Sequence, residues 1–191
     1  LATAGTGGFG FRNDSMGSFS PYLQWVIAVF MILFGINFNV YYLILFGQIK
    51  RALRCEELRV YLLIIAGSVA IVFFNIINMF SNAADALRHS VFTIGSLISS
   101  TGFATVDFDL WPSAAKTVLV GCMFVGACAG STGGGIKMSR IIIAVKTVVK
   151  ELNAYVHPKA VRKIQFEEKP VEHEVVRAVN VYIITFFGAI F

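Results

Sequence analysis

Long stretches of this chain carry no charged side chain, and that decides which solvent it folds in. Tyr22 to Gly47 is uncharged throughout, and so is Val60 to Met79. A helix rises about 1.5 Å per residue, so about 20 apolar residues cross about 30 Å of hydrocarbon. Both runs reach that length. Val118 to Ile136 is a third candidate span, interrupted by Gly121, Gly126, Gly130, Gly133, Gly134 and Gly135. Val175 to Phe191 begins a fourth, with Arg177 near its entrance. Composition agrees: 57% of the 191 residues are hydrophobic and 14% charged, and the mean hydropathy is +0.74. Soluble domains hold about 25% charged residues, so an ordinary soluble enzyme, a fibrous chain and a disordered chain are all disfavoured. The three Cys make neither a disulfide framework nor a zinc pattern. The chain opens Leu-Ala-Thr and closes in an apolar run, which reads as an internal piece of a longer, multi-pass membrane protein.

Charge orients the spans. Lys50, Arg51, Arg54 and Arg59 lie between the first two. Lys137, Arg140, Lys146, Lys150, Lys159, Arg162, Lys163 and Lys169 follow the third. Positive charge marks cytoplasmic loops, and the crossings between these two segments agree with placing both inside. All four Asp (Asp14, Asp85, Asp107 and Asp109) fall on the opposite face. The net charge of +5 is therefore a topology signal. Nucleic acid is not an expected partner, because the basic residues lack the interleaved stacking aromatics of a strand-binding groove.

One apolar segment, Leu87 to Ser100, is too short to cross and suits a re-entrant half-helix, with Asn82 and Asp85 available to cap it. It runs into Ser99-Ser100-Thr101-Gly102-Phe103-Ala104-Thr105. The N-terminus, Thr3-Ala4-Gly5-Thr6-Gly7-Gly8, resembles this turn. Each turn leads past Asp residues to a Pro (Pro21, Pro112) that opens a span. The unit is span, re-entrant helix, Thr/Ser-x-Gly turn, span, and such repeats place a ligand at their interface. Stripping water from a monovalent cation requires several oxygens at fixed spacing, which backbone carbonyls of converging loops supply. Gly at positive φ lets successive carbonyls point one way, and the C-terminus of a short helix favours a cation. Thr3, Ala4, Gly5, Thr6, Ser100, Thr101, Gly102 and Phe103 are thus candidate filter residues, with a monovalent cation expected at Thr3, Ala4, Ser100 and Thr101. A plain external turn is the competing reading.

The second unusual element is Gly126-Ala-Cys-Ala-Gly-Ser-Thr-Gly-Gly-Gly135, inside the third span. Its spacing fits neither a phosphate-binding loop nor a Gly-x-Ser-x-Gly nucleophile elbow. Close helix packing by small residues is one account. Three consecutive Gly cannot form a single stripe, however, and each costs about 1 kcal/mol in a helix. A broken helix beneath the filter, placed to gate it, fits better, with Gly126, Gly130, Ser131, Thr132, Gly133, Gly134 and Gly135 as gating-loop residues. Asn37, Asn39, Asn75 and Asn78 read as interhelical hydrogen-bonding groups, Cys122 and Cys128 as apolar fillers, and Lys137 and Arg140 as snorkelling anchors. His89, His157 and His173 stand apart.

The segments ATAGTGGFGFRNDS, SLISSTGFATVDF and GACAGSTGGGIKMSR together resemble the Trk/Ktr/HKT superfamily of potassium transporters, and within it the TrkH/TrkG type of the bacterial Trk systems. The resemblance covers essentially the whole chain. It implies an all-α integral membrane protein of the cell inner membrane, built from membrane helix–re-entrant pore helix–filter loop–membrane helix repeats as in potassium channels. Residues 1–54 would form one filter loop and its second membrane helix. Residues 55–150 would form a complete repeat: membrane helix 56–80, pore helix 85–99, filter 100–105 and broken membrane helix 112–150. Residues 151–170 would be a cytoplasmic linker, and 171–191 the start of the next repeat. The first and fourth filters of the family are absent from this chain. Gly5 and Gly102 match the filter glycines, and Gly there is associated with potassium over sodium. The resemblance also implies membrane lipid, a homodimer and a cytosolic nucleotide-binding regulatory subunit of the TrkA type as partners. It further implies potassium as the substrate, held at Thr3, Ala4, Ser100 and Thr101, and no cofactor. A sodium-coupled or sodium-permeable relative is the alternative. A membrane-embedded enzyme is a third reading, which lacks any paired carboxylate, Ser–His or metal constellation in the spans.

The charge distribution has a direct test. A single Cys at position 107 is expected to react with an impermeant thiol reagent from outside, and one at position 50 only from the cytoplasm; labelling of position 107 from the cytoplasm alone overturns the topology.

Overall fold

The computed structural model describes residues 1–156, 164–167 and 169–190. Eight α-helices follow in order: α1 Pro21–Phe34, α2 Phe38–Leu45, α3 Ile49–Arg54, α4 Glu56–Ile76, α5 Ala83–Ile98, α6 Ser113–Val125, α7 Met138–Val156 and α8 His173–Ile190. A two-stranded antiparallel hairpin precedes α8, pairing Gln165 with Pro170 and Phe166 with Lys169. The segment 157–163, part of the expected linker and the site of His157, lies outside the described residues.

The short helix is the centre. In α5, Phe92, Ile94, Ser96 and Ile98 are buried, because α1, α4 and α6 all pack around it. Gly95 permits the tightest approach: a Cβ there would stand 3.3 Å from Ile32 and 3.5 Å from the Ala28 carbonyl of α1. Around α5, the α4 segment Glu56–Met79 and helix α8 are long and apolar enough to cross a membrane. The α4 core side chains Tyr61, Ile65, Val72 and Ile76 meet Leu119 and Cys122 of α6 in one cluster. Phe124 of α6 meets Phe187 of α8 at 5.8 Å, and the Arg140 guanidinium of α7 sits 4.2 Å from the Tyr182 ring of α8.

Four expectations are corrected. Tyr22 to Gly47 is not one continuous span: α1 and α2 meet at a bend of 93°. Gly35 closes α1, and the Asn37 side chain accepts from the Asn39 N–H to start α2, so a stop signal and a start signal sit two residues apart. The linker boundary at 150/151 is not a break, since α7 runs to Val156. Asn82 precedes α5 without a side-chain cap. Asn75 bonds the Ile71 carbonyl of its own helix at 2.8 Å, not a neighbouring helix.

A helix that stops inside a membrane leaves carbonyls that water cannot reach. Here each one has a partner. Tyr61 Oη donates to the Ile32 carbonyl at 3.1 Å, and Tyr41 Oη to Leu33 at 2.6 Å. Thr132 Oγ1 lies 3.4 Å from the Phe34 carbonyl, and the Cys128 N–H donates to Gly35 at 3.0 Å. Two of these four donors come from the Gly-rich segment between α6 and α7, so the break in the first span and that segment are built against each other.

Candidate functional site

The turn after α5 is arranged with its N–H groups inward. The Thr101 N–H donates to the Ser96 carbonyl at 2.8 Å, and the Gly102 N–H to the same oxygen at 3.4 Å. Ser96 Oγ donates to the Phe103 carbonyl at 2.7 Å. The hydroxyls of Ser99 and Thr101 are 2.7 Å apart. Ser100 (φ 59°) and Gly102 (φ 83°) take left-handed backbone, which reverses the peptide orientation along the segment. The carbonyls of Ser100, Thr101 and Gly102 accept no hydrogen bond among the described residues, although Thr101 is only 3% exposed. Thr101 is the buried one of the three, while Ser100 and Gly102 are exposed, so the run of free oxygens lies at the surface end of the α5 C-terminus.

The N-terminal turn is built differently. The carbonyl of Leu1 accepts from Gly5 N–H at 2.9 Å and that of Ala2 from Gly7 N–H at 3.0 Å. Positive φ falls at Thr6 (47°) and Gly8 (65°), not at Gly5, which corrects the expectation that Gly5 itself needs left-handed backbone. The two turns are nonetheless brought together: a Cβ on Gly8 would collide with the Thr101 carbonyl. The loop beyond it interlocks with the second turn, as Ala104 N–H donates to Ser15 Oγ at 3.1 Å and Met16 N–H to the Ala104 carbonyl at 2.9 Å. His89, which has no ligand spacing in the sequence, meets Thr105 Oγ1 through Nδ1 at 2.8 Å and stacks on Phe80. It braces the far end of the turn.

The Gly-rich segment leaves helix at Gly126 and regains it at Met138. Its neck is two backbones in contact: a Cβ on Gly135 would stand 2.7 Å from the Gly126 Cα. Both glycines are left-handed, at φ 86° and 70°. Its apex presses on the turn above: a Cβ on Gly133 would lie 3.1 Å from the Ser99 carbonyl, and one on Gly134 3.1 Å from Ser100 Oγ. Thr6 Oγ1, 3.0 Å from the Thr132 carbonyl, ties the first turn to the same loop. Ser131 Oγ closes on the Cys128 carbonyl at 2.6 Å. Lys137, expected as a snorkelling anchor, instead folds back so that its ammonium donates to the carbonyl of Gly133 and lies 3.5 Å from that of Ser131. Sequence spacing had separated Lys137 from the loop it holds. Glu57, which no motif singled out, accepts the Ala129 N–H at 2.7 Å.

The glycines divide by their surroundings. Nothing lies within 4 Å of a Cβ on Gly102, so Gly102→Ala costs only the backbone strain of about 1–2 kcal/mol. Gly135→Ala adds a backbone collision to the same strain. Thermal unfolding in detergent is expected to show a clearly larger loss for Gly135→Ala; equal losses overturn the closed neck.

Known proteins share the sequence pattern and the fold of this chain. The family model TrkH, described as a cation transport protein, matches residues 1–191. The chain is 31% identical over 186 residues to the Trk system potassium uptake protein TrkH of Escherichia coli K12, covering 94% of this chain and 38% of that protein. It is 34% identical over 183 residues to TrkG of the same strain, with the same coverage. The crystal structure of the potassium transporter TrkH from Vibrio parahaemolyticus superposes with a TM-score of 0.88 at 29% identity, over 95% of this chain and 40% of that one. The chain thus spans about two fifths of the length of these relatives, and it belongs to the TrkH family of cation transport proteins.

Proposed function

We propose that this chain forms part of the potassium pathway of a Trk-type uptake protein in the cell inner membrane, with the turn at Ser100 to Phe103 as filter and Gly126 to Gly135 as gate. The observation that carries the reading is the row of unpaired carbonyls at Ser100, Thr101 and Gly102, with the glycine loop pressed against its lower side. A potassium ion loses hydration water on entering a pore, and carbonyl oxygens replace it. The inward N–H bonds to Ser96 keep those oxygens facing away from the pore helix, and the negative end of α5 adds attraction for a cation. Thr3, Ala4, Gly5 and Thr6 supply the neighbouring sector of the ring, where the carbonyls of Ala4 and Thr6 accept no hydrogen bond among the described residues. The name given to the E. coli relatives, potassium uptake proteins, supports potassium over sodium. A homodimer and a cytosolic nucleotide-binding regulatory subunit of the TrkA type complete the assembly, the latter acting through α7 on the loop that precedes it.

Selectivity tests the filter. In the full-length protein, Gly102→Ser is expected to weaken the preference for potassium over sodium in whole-cell uptake. Unchanged relative uptake of the two ions removes the turn from the filter.

A deletion tests the gate. Removing Gly130 to Gly134 takes out the apex that meets Ser99 and Ser100, and is expected to raise basal rubidium uptake and reduce its dependence on the regulatory subunit. A folded deletion protein with normal, fully regulated uptake makes the loop packing material only.

A further inference from the structure

Glu57 stands in the first turn of α4, 1% exposed. Its neighbour Glu56 pairs with Lys146 at 2.6 Å, but Glu57 forms no ion pair among the described residues. Its two oxygens instead grip two different segments. Oε1 accepts from the Ala129 N–H in the Gly-rich loop at 2.7 Å, and Oε2 accepts from Asn37 Nδ2 at 3.2 Å. Asn37 sits in the bend between α1 and α2, and its orientation is fixed because its Oδ1 already accepts from the Asn39 N–H at 2.9 Å. Both oxygens of Glu57 therefore face donors, the arrangement that suits an ionised carboxylate and not a neutral acid. Burying a charge without a cation is costly. An apolar side chain here would leave the Ala129 N–H and Asn37 Nδ2 without acceptors, so the carboxylate is tied to what it holds.

Three elements meet at this group: α4, the bend of the first span, and the loop. Backbone bonds run beside it, from Cys128 N–H to the Gly35 carbonyl at 3.0 Å and from Phe38 N–H to the Gly130 carbonyl at 3.2 Å. These align the loop with the bend, and Glu57 fastens both to α4, against which α7 also packs. We propose that Glu57 is a positioning residue for gating, a latch whose two-point grip on Ala129 and Asn37 holds the Gly-rich loop against the filter turn until α7 moves. The latch rests on the reading of that loop as the gate and names what restrains it.

The test exchanges donor and acceptor. Glu57→Gln replaces one accepting oxygen with an NH2 that faces another donor, so one arm of the grip is lost. Losing a hydrogen bond to a charged group shifts an equilibrium by about tenfold, so rubidium uptake without the regulatory subunit is expected to rise by about that factor. Combining Glu57→Gln with Asn37→Asp restores the pairing with reversed polarity. The amide carbonyl introduced at position 57 accepts from the Ala129 N–H, and the amide NH2 beside it donates to the carboxylate introduced at position 37. The second oxygen of that carboxylate still caps Asn39. The double variant is expected to return to low, regulated uptake, a rescue that loss of packing alone would not give. Asn37→Ala removes one arm without touching Glu57, is expected to raise basal uptake as well, and decides the matter if Glu57→Gln fails to accumulate in the membrane. Normal regulation in Glu57→Gln and Asn37→Ala at wild-type protein levels overturns the latch, as does a double variant no lower in basal uptake than Glu57→Gln alone. The loop deletion separates the two ideas: if it frees uptake while these variants stay regulated, the gate stands and the latch falls; if it leaves uptake regulated, the gate itself falls.

Discussion

Backbone that stops being helical inside a membrane has to find hydrogen-bond partners within the protein, and this requirement organises the whole chain. Two such interruptions among the described residues fall within candidate spans, at Gly35 to Asn37 and at Gly126 to Lys137. Neither could exist alone. The first lends carbonyls to Cys128 N–H and Thr132 Oγ1, and the second offers its Gly130 carbonyl to Phe38 N–H. Tyr41, Tyr61, Glu57 and Lys137 cover what the backbones leave over. Against this pairing the free oxygens of Ser100, Thr101 and Gly102 stand out. The same chain that devotes polar side chains to its interrupted spans leaves these three open.

Much of this was legible from residue order. The short helix, the Thr-Gly turn behind it and the glycine break in the third span follow from length limits and helix propensity, and the structure places each within a few residues of expectation. Lys137 was visible only as a charge at a membrane edge, because nothing in spacing says that a side chain folds back four residues onto Gly133. The bend at Gly35-Ile36-Asn37 was hidden by hydropathy: the window from Tyr22 to Gly47 averages over a stop and a start that the capping preferences of Gly and Asn do announce. Glu57 lay in the sequence as one of two acids opening a helix, where a favourable dipole interaction is reason enough for both. Only the fold separates them, sending Glu56 to Lys146 and Glu57 inward.

The two Gly-containing turns, at Thr3 to Gly8 and Ser100 to Thr105, resemble each other in sequence more than in backbone. Gly102 is left-handed, while Gly5 is not, and its turn commits the Leu1, Ala2 and Thr3 carbonyls to internal bonds. Similar letters at repeat spacing thus do not fix equal local geometry. What the repeats do share is mutual support, since Gly8 fits only because it has no side chain to meet the Thr101 carbonyl.

The pinned glycine loop also has a thermodynamic consequence. Glycine loses more freedom on ordering than any other residue, and fixing one residue's backbone costs about 1–2 kcal/mol in entropy. Five glycines between Gly126 and Gly135 are held by many individually modest bonds, so the arrangement against the Ser99–Ser100 turn is the enthalpically favoured, entropically poor one. Release of the loop breaks bonds and returns backbone freedom. On the proposed gating role, warming favours the open side, and the rate of permeation climbs with temperature more steeply than ion diffusion through water.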